Sequence, residues 1–577
     1  MALFAGTVEA AAAPPDLDPT FADMRGRIER FVADRDVLAR YHAVPGSPRR
    51  AEKLKAFYEA AQAELKGVDF ASLPLDGQID FLLFQTYLRS ELQELTYALR
   101  REEEIAPLLP FAGKVRALEE GRREKQAQHA RESAETISQI AQEAKAAKKS
   151  LEEQLAAKRG PTRVVARRAA IACDKLRETL KDWHHFYSGY DPEFGWWLKE
   201  PQPKAQEALA DYAAALREKV LDQGSGKDEP LVGDPIGRAA LLDSLATEMI
   251  PYTPEELLLI AEAEFAWCET EMKRAARDLG FAGDWRKALD HVANLHRKPG
   301  EQPQLIREVA EESIRFLDER QLVSVPPLCR EVWRMTMMSA ERQKVSPYFT
   351  GGEVISISYP TESMSHEDKL MSLRGNNLHF CRATVHHELI PGHHLQAFMA
   401  ERYRSHRQLF RTPFLVEGWA LHWEMHLWDL GFAKGPEDRV GMLFWRAHRC
   451  ARILFSLKFH LGKMTAEEAV QLLVERVGHE PRNATAEVRR SIAGDYSPLY
   501  QAAYMLGGLQ LRALHAELVG GKKMTERQFH DAVLRENAIP IEMIRASLTG
   551  AKLTKDWKPA WRFYEKLPPS KPGGQAN

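Results

Sequence analysis

The segment His386-His387-Glu388-Leu389-Ile390-Pro391-Gly392-His393-His394 holds four histidines and a glutamate within nine residues. Imidazoles and carboxylates gathered this closely are the donor set of a hydrolytic metal ion, which also needs an open position for water and a nearby base to accept that water's proton. On a helix the common arrangement is His-Glu-x-x-His, which puts both imidazoles on one face. His387-Glu388 opens that pattern, but Pro391 stands where the second histidine belongs. His387 and His393, six apart, would point ~120° away from each other on an ideal helix. Proline removes a backbone donor and glycine permits unusual dihedrals, so Ile390-Pro391-Gly392 is expected to bulge the helix and restore an effective spacing of four. The pairs His386/His393 and His387/His394 share a face but lie ~10 Å apart along the axis, too far for one ion.

A third ligand is expected from a following helix. Glu417-Gly418-Trp419-Ala420-Leu421-His422-Trp423-Glu424 carries two glutamates seven apart, hence on one face, and Glu417 follows His393 by 24 residues, room for a helix to end and another to return beside it. Glu417 is taken as the ligand and Glu424 as a carboxylate that orients a metal-bound imidazole. Two imidazoles and one carboxylate suit zinc, one ion per chain. The lone pair His184-His185 is read as structural.

The elements that must hold these residues read as helices. Thr253-Pro254-Glu255-Glu256 sets a capping hydroxyl, a first-turn proline and an N3 carboxylate before a Leu/Ala-rich run, and Thr465 with Glu468 and Thr525 with Gln528 repeat the capping box. The expected fold is mainly α: a large helical body with a central cleft. Its one strand-like stretch, Ser346 to Tyr359 around Gly351-Gly352, predicts a small β-hairpin beside the His-rich helix that offers an edge to an extended peptide. Residues 114–158, charged and nearly free of Gly and Pro, predict a long exposed helix or helical hairpin. The organisation expected is an unstructured or processed segment 1–20, an N-terminal helical region 21–230, a catalytic region 231–567 after the Gly/Pro-rich stretch from Gln223 to Arg238, and a disordered tail 568–577.

Lys plus Arg (80) nearly balances Asp plus Glu (82), which gives no electrostatic reason to expect nucleic acid. No run of 18 apolar residues is present, so membrane insertion is not expected. Five scattered cysteines without a Cys-x-x-Cys pair support neither a disulfide framework nor a thiolate metal site. The Ala-rich start lacks the basic beginning and leucine-rich centre of a signal peptide, leaving cytoplasmic and exported locations both open.

The text from His387 to Gln396, with Glu417-Gly418-Trp419-Ala420-Leu421, resembles the bacterial family catalogued as domain of unknown function 885. That family looks like helical zinc peptidases distantly akin to the thimet oligopeptidase and angiotensin-converting enzyme group. The resemblance runs from the N-terminal helical region to Tyr504 and is thinner over 114–200. It implies zinc held by His387, His393 and Glu417, with Glu388 as general base. It also draws attention to Asp495 to Gly507, where Tyr504, with Tyr500 in reserve, is the implied donor to the oxyanion. His422 departs from the family pattern, which has tyrosine after Ala-Leu.

The resemblance implies a metallopeptidase, and a deep helical cleft, by analogy of fold, one that acts on short peptides. Glu388 takes a proton from the attacking water and returns it to the leaving amine, while Tyr504, His386 or His394 steadies the oxyanion. Arg446, Arg449, Arg452, Arg489 and Arg490 are candidates for gripping a substrate carboxylate. The competing expectations are hydrolysis of a non-peptide amide or ester, and a non-catalytic metal-binding scaffold.

Overall fold

The computed structural model describes residues 23–223, 230–345, 349–494 and 496–564. The expectations for 1–20 and 568–577 and for much of the Gly/Pro stretch after Gln223 lie outside those residues. The fold is mainly α, and among the described residues no helix is long and apolar enough to cross a membrane. All five cysteines are free and buried.

The chain opens with α1 (Met24–Tyr41), α2 (Pro48–Lys66) and α3 (Leu75–Ile105). Next come α4 (Ala112–Arg123), α5 (Ala130–Ala156), α6 (Arg163–Ser188) and α7 (Pro201–Val220). The charged stretch is therefore a helical pair broken at Glu124–His129. It is not wholly solvated: Ile137, Ile140, Ala144 and Leu151 bury one stripe of α5. Spaced three, four and seven apart, they form the apolar face of an amphipathic helix.

Then follow α8 (Pro254–Asp278) and α9 (Gln302–Arg320), strands β1 (Arg334–Met337) and β2 (Val354–Ile357), and the helices of the site. These are α10 (Leu378–Glu388), α11 (His393–Ala400), α12 (Pro413–Asp429), α13 (Pro436–His460), α14 (Pro481–Ile492), α15 (Tyr500–His515) and α16 (Glu526–Arg535). All three capping boxes form, with hydroxyl and N3 side chain bonded reciprocally.

The expected hairpin is corrected. β2 pairs in parallel with β1, Arg334 opposite Val354 through Met337 opposite Ile357. A helix, Ala340–Val345, carries the chain back so that β2 runs in the same direction as β1. Only the isolated bridge between Thr350 and Ser356 is antiparallel. Gly351-Gly352 lies in the short loop this bridge closes, not between two paired antiparallel strands.

The hydrophobic cores do not divide at residue 230. Residues 105–221 have a core of their own. The apolar faces of α1–α3 instead share a core with α11, α12, α15 and α16. Another core joins α8, α10, α12, α13 and α15, and a small one sets the strands against α9 and α10. α12 contributes to both large cores, with Trp419 and Trp423 on one side and Phe414, Leu421 and Met425 on the other. Thirteen of its seventeen residues are buried, so the helix lies inside the body.

Candidate metal centre

The Pro-Gly step does more than bulge the helix. α10 stops at Glu388, Leu389 (φ −108°, ψ −105°) and Gly392 (φ −77°, ψ −130°) leave helical space, and α11 starts at His393. The Ile390–Pro391 peptide is cis. A Cβ on Gly392 would lie 1.9 Å from the carbonyl oxygen of His387, so no larger residue lets the chain fold back here. Trp419 Nε1 of α12 donates to the Pro391 carbonyl at 2.7 Å and pins the break. His387 and His393 come to a ring separation of 4.7 Å.

Glu417 arrives on α12, and Glu417 Oε2 lies 3.6 Å from His387 Nε2 and 3.2 Å from His393 Nε2. One donor atom from each of the three falls within 4.8 Å of the others. That oxygen is buried and makes no hydrogen bond, while Oε1 accepts from the Tyr500 hydroxyl. Leaving a buried carboxylate oxygen unsatisfied is costly, and an ion between the three side chains removes that cost. The residues present therefore fit a zinc ion. On the far side of His387, Nδ1 meets Glu424 Oε1 at 2.6 Å, the outer contact that fixes a ligating imidazole.

Close helix approach sets these distances. Where α12 crosses α15, a Cβ on Gly507 would sit 1.9 Å from the Phe414 carbonyl, and one on Gly418 2.5 Å from Gly507. Only glycines allow the two backbones so near, and that crossing brings Tyr500 and Tyr504 over Glu417 and His387. The Tyr504 ring lies 6.1 Å from that of His387 and nearly parallel to it.

Burial opposes charge on His387, yet Glu417 and Glu424 outweigh it and raise its pKa to about 9 in the metal-free chain. Burial also opposes charge on Glu417, but His393 and His387 hold its carboxyl well below the usual range. Glu388 is pushed up by burial. Its flank is closed by Gly351, whose Cβ would stand 2.4 Å from Glu388 Oε2. Gly352 N–H donates to the Glu388 carbonyl at 3.2 Å. With Thr350 and Ser356 bonded to each other as well, most of this segment's backbone is already paired, so it is not the open peptide-binding edge expected.

His387, Glu388, His393, Glu417, Tyr500 and Tyr504 line one cleft of about 510 Å³, within the ~300–1,000 Å³ typical of ligand sites. Two of the expected oxyanion donors are elsewhere. His394 turns to the Cys329 carbonyl, 2.8 Å from Nε2, and His386 is buried edge-on to Phe432. Successive residues of a helix face different ways, and here the rings of His386 and His394 point off the site. Of the five arginines, Arg449, Arg452 and Arg490 line the cleft, while Arg446 is bonded to Glu264 and Arg489 is not in the lining. Arg449 and Arg452 stack over Tyr504 at 4.8 and 4.5 Å. Glu487, which sequence reasoning missed, bonds Arg452 at 2.6 Å and pairs with Arg490 at 3.0 Å. Nothing in its local sequence marks that role.

No curated protein matches the chain. A candidate lipoprotein of unknown function from Shewanella oneidensis is structurally similar at a TM-score of 0.69 and 18% identity, over 92% of this chain and 100% of that one. A candidate lipoprotein from Colwellia psychrerythraea is similar at 0.58 and 14% identity, over 92% and 98%. At these identities the likeness concerns the fold. The profile described as "Bacterial protein of unknown function (DUF885)" matches residues 32–548, and the chain belongs to that family.

Proposed function

We propose that the protein is a zinc-dependent peptidase acting on short peptides. The observation that carries this is the unsatisfied Glu417 Oε2, 3.6 and 3.2 Å from His387 and His393, in the same cleft as Glu388. His387, His393 and Glu417 would hold the ion, a three-residue donor set of the kind that catalytic zinc uses. Bound zinc supplies Lewis acidity, polarising a carbonyl and acidifying water.

Glu388 accepts the proton of the attacking water and delivers it to the leaving nitrogen; its raised pKa suits a group that must both take and give. Glu424 keeps the proton of His387 on Nδ1, so that Nε2 faces Glu417. Tyr504 donates to the carbonyl oxygen as charge builds there. Tyr500 is committed to Glu417. Arg452 Nη1, buried without a hydrogen bond, is the group that grips a substrate carboxylate. The descriptions of both structural neighbours as candidate lipoproteins support an exported location.

The test is zinc content and turnover of a broad peptide library, with the natural chain compared to Glu388→Gln. Hydrolysis that falls ~10²- to 10⁴-fold while zinc stays bound upholds the reading. Turnover of only non-peptide amides or esters redirects it, and bound zinc with no hydrolysis of any kind leaves a scaffold.

A further inference from the structure

α12 has a second polar face. His422 and His426, four apart, lie ~140–200° around the axis from Glu417 and Glu424 at ~100° per residue. They meet His515, the last residue of α15, and Glu526 and His530, again four apart, on α16. His426, His515 and the i, i+4 pair Glu526/His530 thus converge from three helices, the pair lying on one face of its helix as donors to one ion do.

The distances are those of a coordination shell. Glu526 Oε2 lies 2.8 Å from His515 Nε2 and 3.3 Å from His426 Nε2. One donor atom from each of the four lies within 4.8 Å of the others. A tetrahedron with ~2.0–2.1 Å bonds has donors ~3.3 Å apart, so little movement is needed. His426 Nε2 is buried and makes no hydrogen bond. His530 Nδ1 donates to the Leu322 carbonyl at 2.8 Å, a contact that orients the ring and leaves Nε2, 3.1 Å from His422 Nε2, as the nitrogen free to face an ion. Trp423 lies against the His530 ring at 4.3 Å and walls the inner side. Glu526, its side chain 29% exposed, leaves an entry path.

Ordinary packing does not account for this. One carboxylate answers one imidazolium, yet three imidazoles crowd around it where apolar side chains would fill the same space without the unsatisfied nitrogen of His426.

We infer that His426, His515, Glu526 and His530 form a second metal site that takes a divalent transition ion, zinc foremost, and ties α12, α15 and α16 together. Three imidazoles and a carboxylate suit zinc and its neighbours and disfavour calcium or magnesium. Four protein ligands leave no open position, the mark of a structural ion. The inference stands independently of the peptidase proposal.

The test strips the full-length chain of metal and titrates it with cobalt(II), whose tetrahedral complexes with nitrogen donors absorb strongly in visible light. The natural chain is expected to hold two ions. His393→Ala, which damages the first centre, is expected to keep one with tetrahedral bands, and adding His515→Gln or Glu526→Gln is expected to abolish it. A natural chain that binds one ion and loses it in His393→Ala overturns the second site without need of any other variant. Cobalt retained unchanged in folded His393→Ala/His515→Gln overturns it too. One ion kept in His393→Ala, lost with His515→Gln, and never joined by a second in the natural chain upholds this site and counts against the first.

Discussion

Replacing Gly507 with alanine probes whether the close crossing of α12 and α15 builds the metal centre. The new Cβ would stand 1.9 Å from the Phe414 carbonyl oxygen and 2.9 Å from Gly418 Cα, against backbone rather than flexible side chain. Real contacts of this kind do not fall below about 3 Å, so the helices must separate by about 1 Å. A gap of ~0.5–1 Å forfeits a quarter to a half of each dispersion contact across the crossing. Overpacking of this sort costs about 1–3 kcal/mol, and the hydrogen bond from Tyr500 to the Glu417 carboxylate, worth ~1.5–3 kcal/mol, is lost with it. The expected destabilisation is therefore ~4 kcal/mol, accompanied by weaker zinc binding. Urea unfolding followed by tryptophan fluorescence reads it well, because Trp419 and Trp423 lie on α12. Gly113→Ala on α4 is the control: its Cβ meets nothing within 4 Å, and it should be neutral or stabilising by up to ~1 kcal/mol. If Gly507→Ala matches Gly113→Ala in urea midpoint and zinc affinity, the glycine crossing does not set the site.

Three further outcomes follow. Glu424→Gln removes the charged partner of His387 Nδ1 and should weaken zinc ~10- to 100-fold in chelator competition. Because Glu417 and Glu424 raise the His387 pKa to about 9, the metal-free ring is protonated at neutral pH. Zinc must displace that proton, so calorimetry in buffers of different ionisation enthalpy should show about one proton released from His387 at pH 7, and affinity should fall about tenfold per unit as pH drops below about 9. Tyr504→Phe should lower kcat ~10²- to 10³-fold with zinc retained, whereas Tyr500→Phe, which frees Glu417 Oε1, should loosen zinc first; identical behaviour of the two variants would refute their separate roles.

Much of the centre was legible because its information is local. A donor pair interrupted by Pro-Gly, and glutamates seven apart on the next helix, state the geometry in the spacing itself, and the three capping boxes formed where their residues stood. The pairing of β2 was not legible, because its partner Arg334–Met337 carries no turn signal and a helix intervenes. Nor were the orientations of His386 and His394, since composition does not say which of two adjacent rings faces the cleft. The cluster around Glu526 was invisible for a different reason. His422 and His426 lie about a hundred residues before His515, Glu526 and His530, and only the tertiary packing of three helices brings them together.

The core that α1–α3 share with α11, α12, α15 and α16 has a consequence for how the chain is made. On a ribosome α3 emerges more than four hundred residues before α16, an interval of about 20–90 s at ~5–20 residues per second. Residues 105–221 can close their own core in that time, but the apolar faces of α1–α3 wait uncovered until the last helices arrive. Lys555 finally caps the carbonyls of Lys66 and Val68, 489 and 487 positions upstream. A nascent chain of this topology depends on being held rather than hurried.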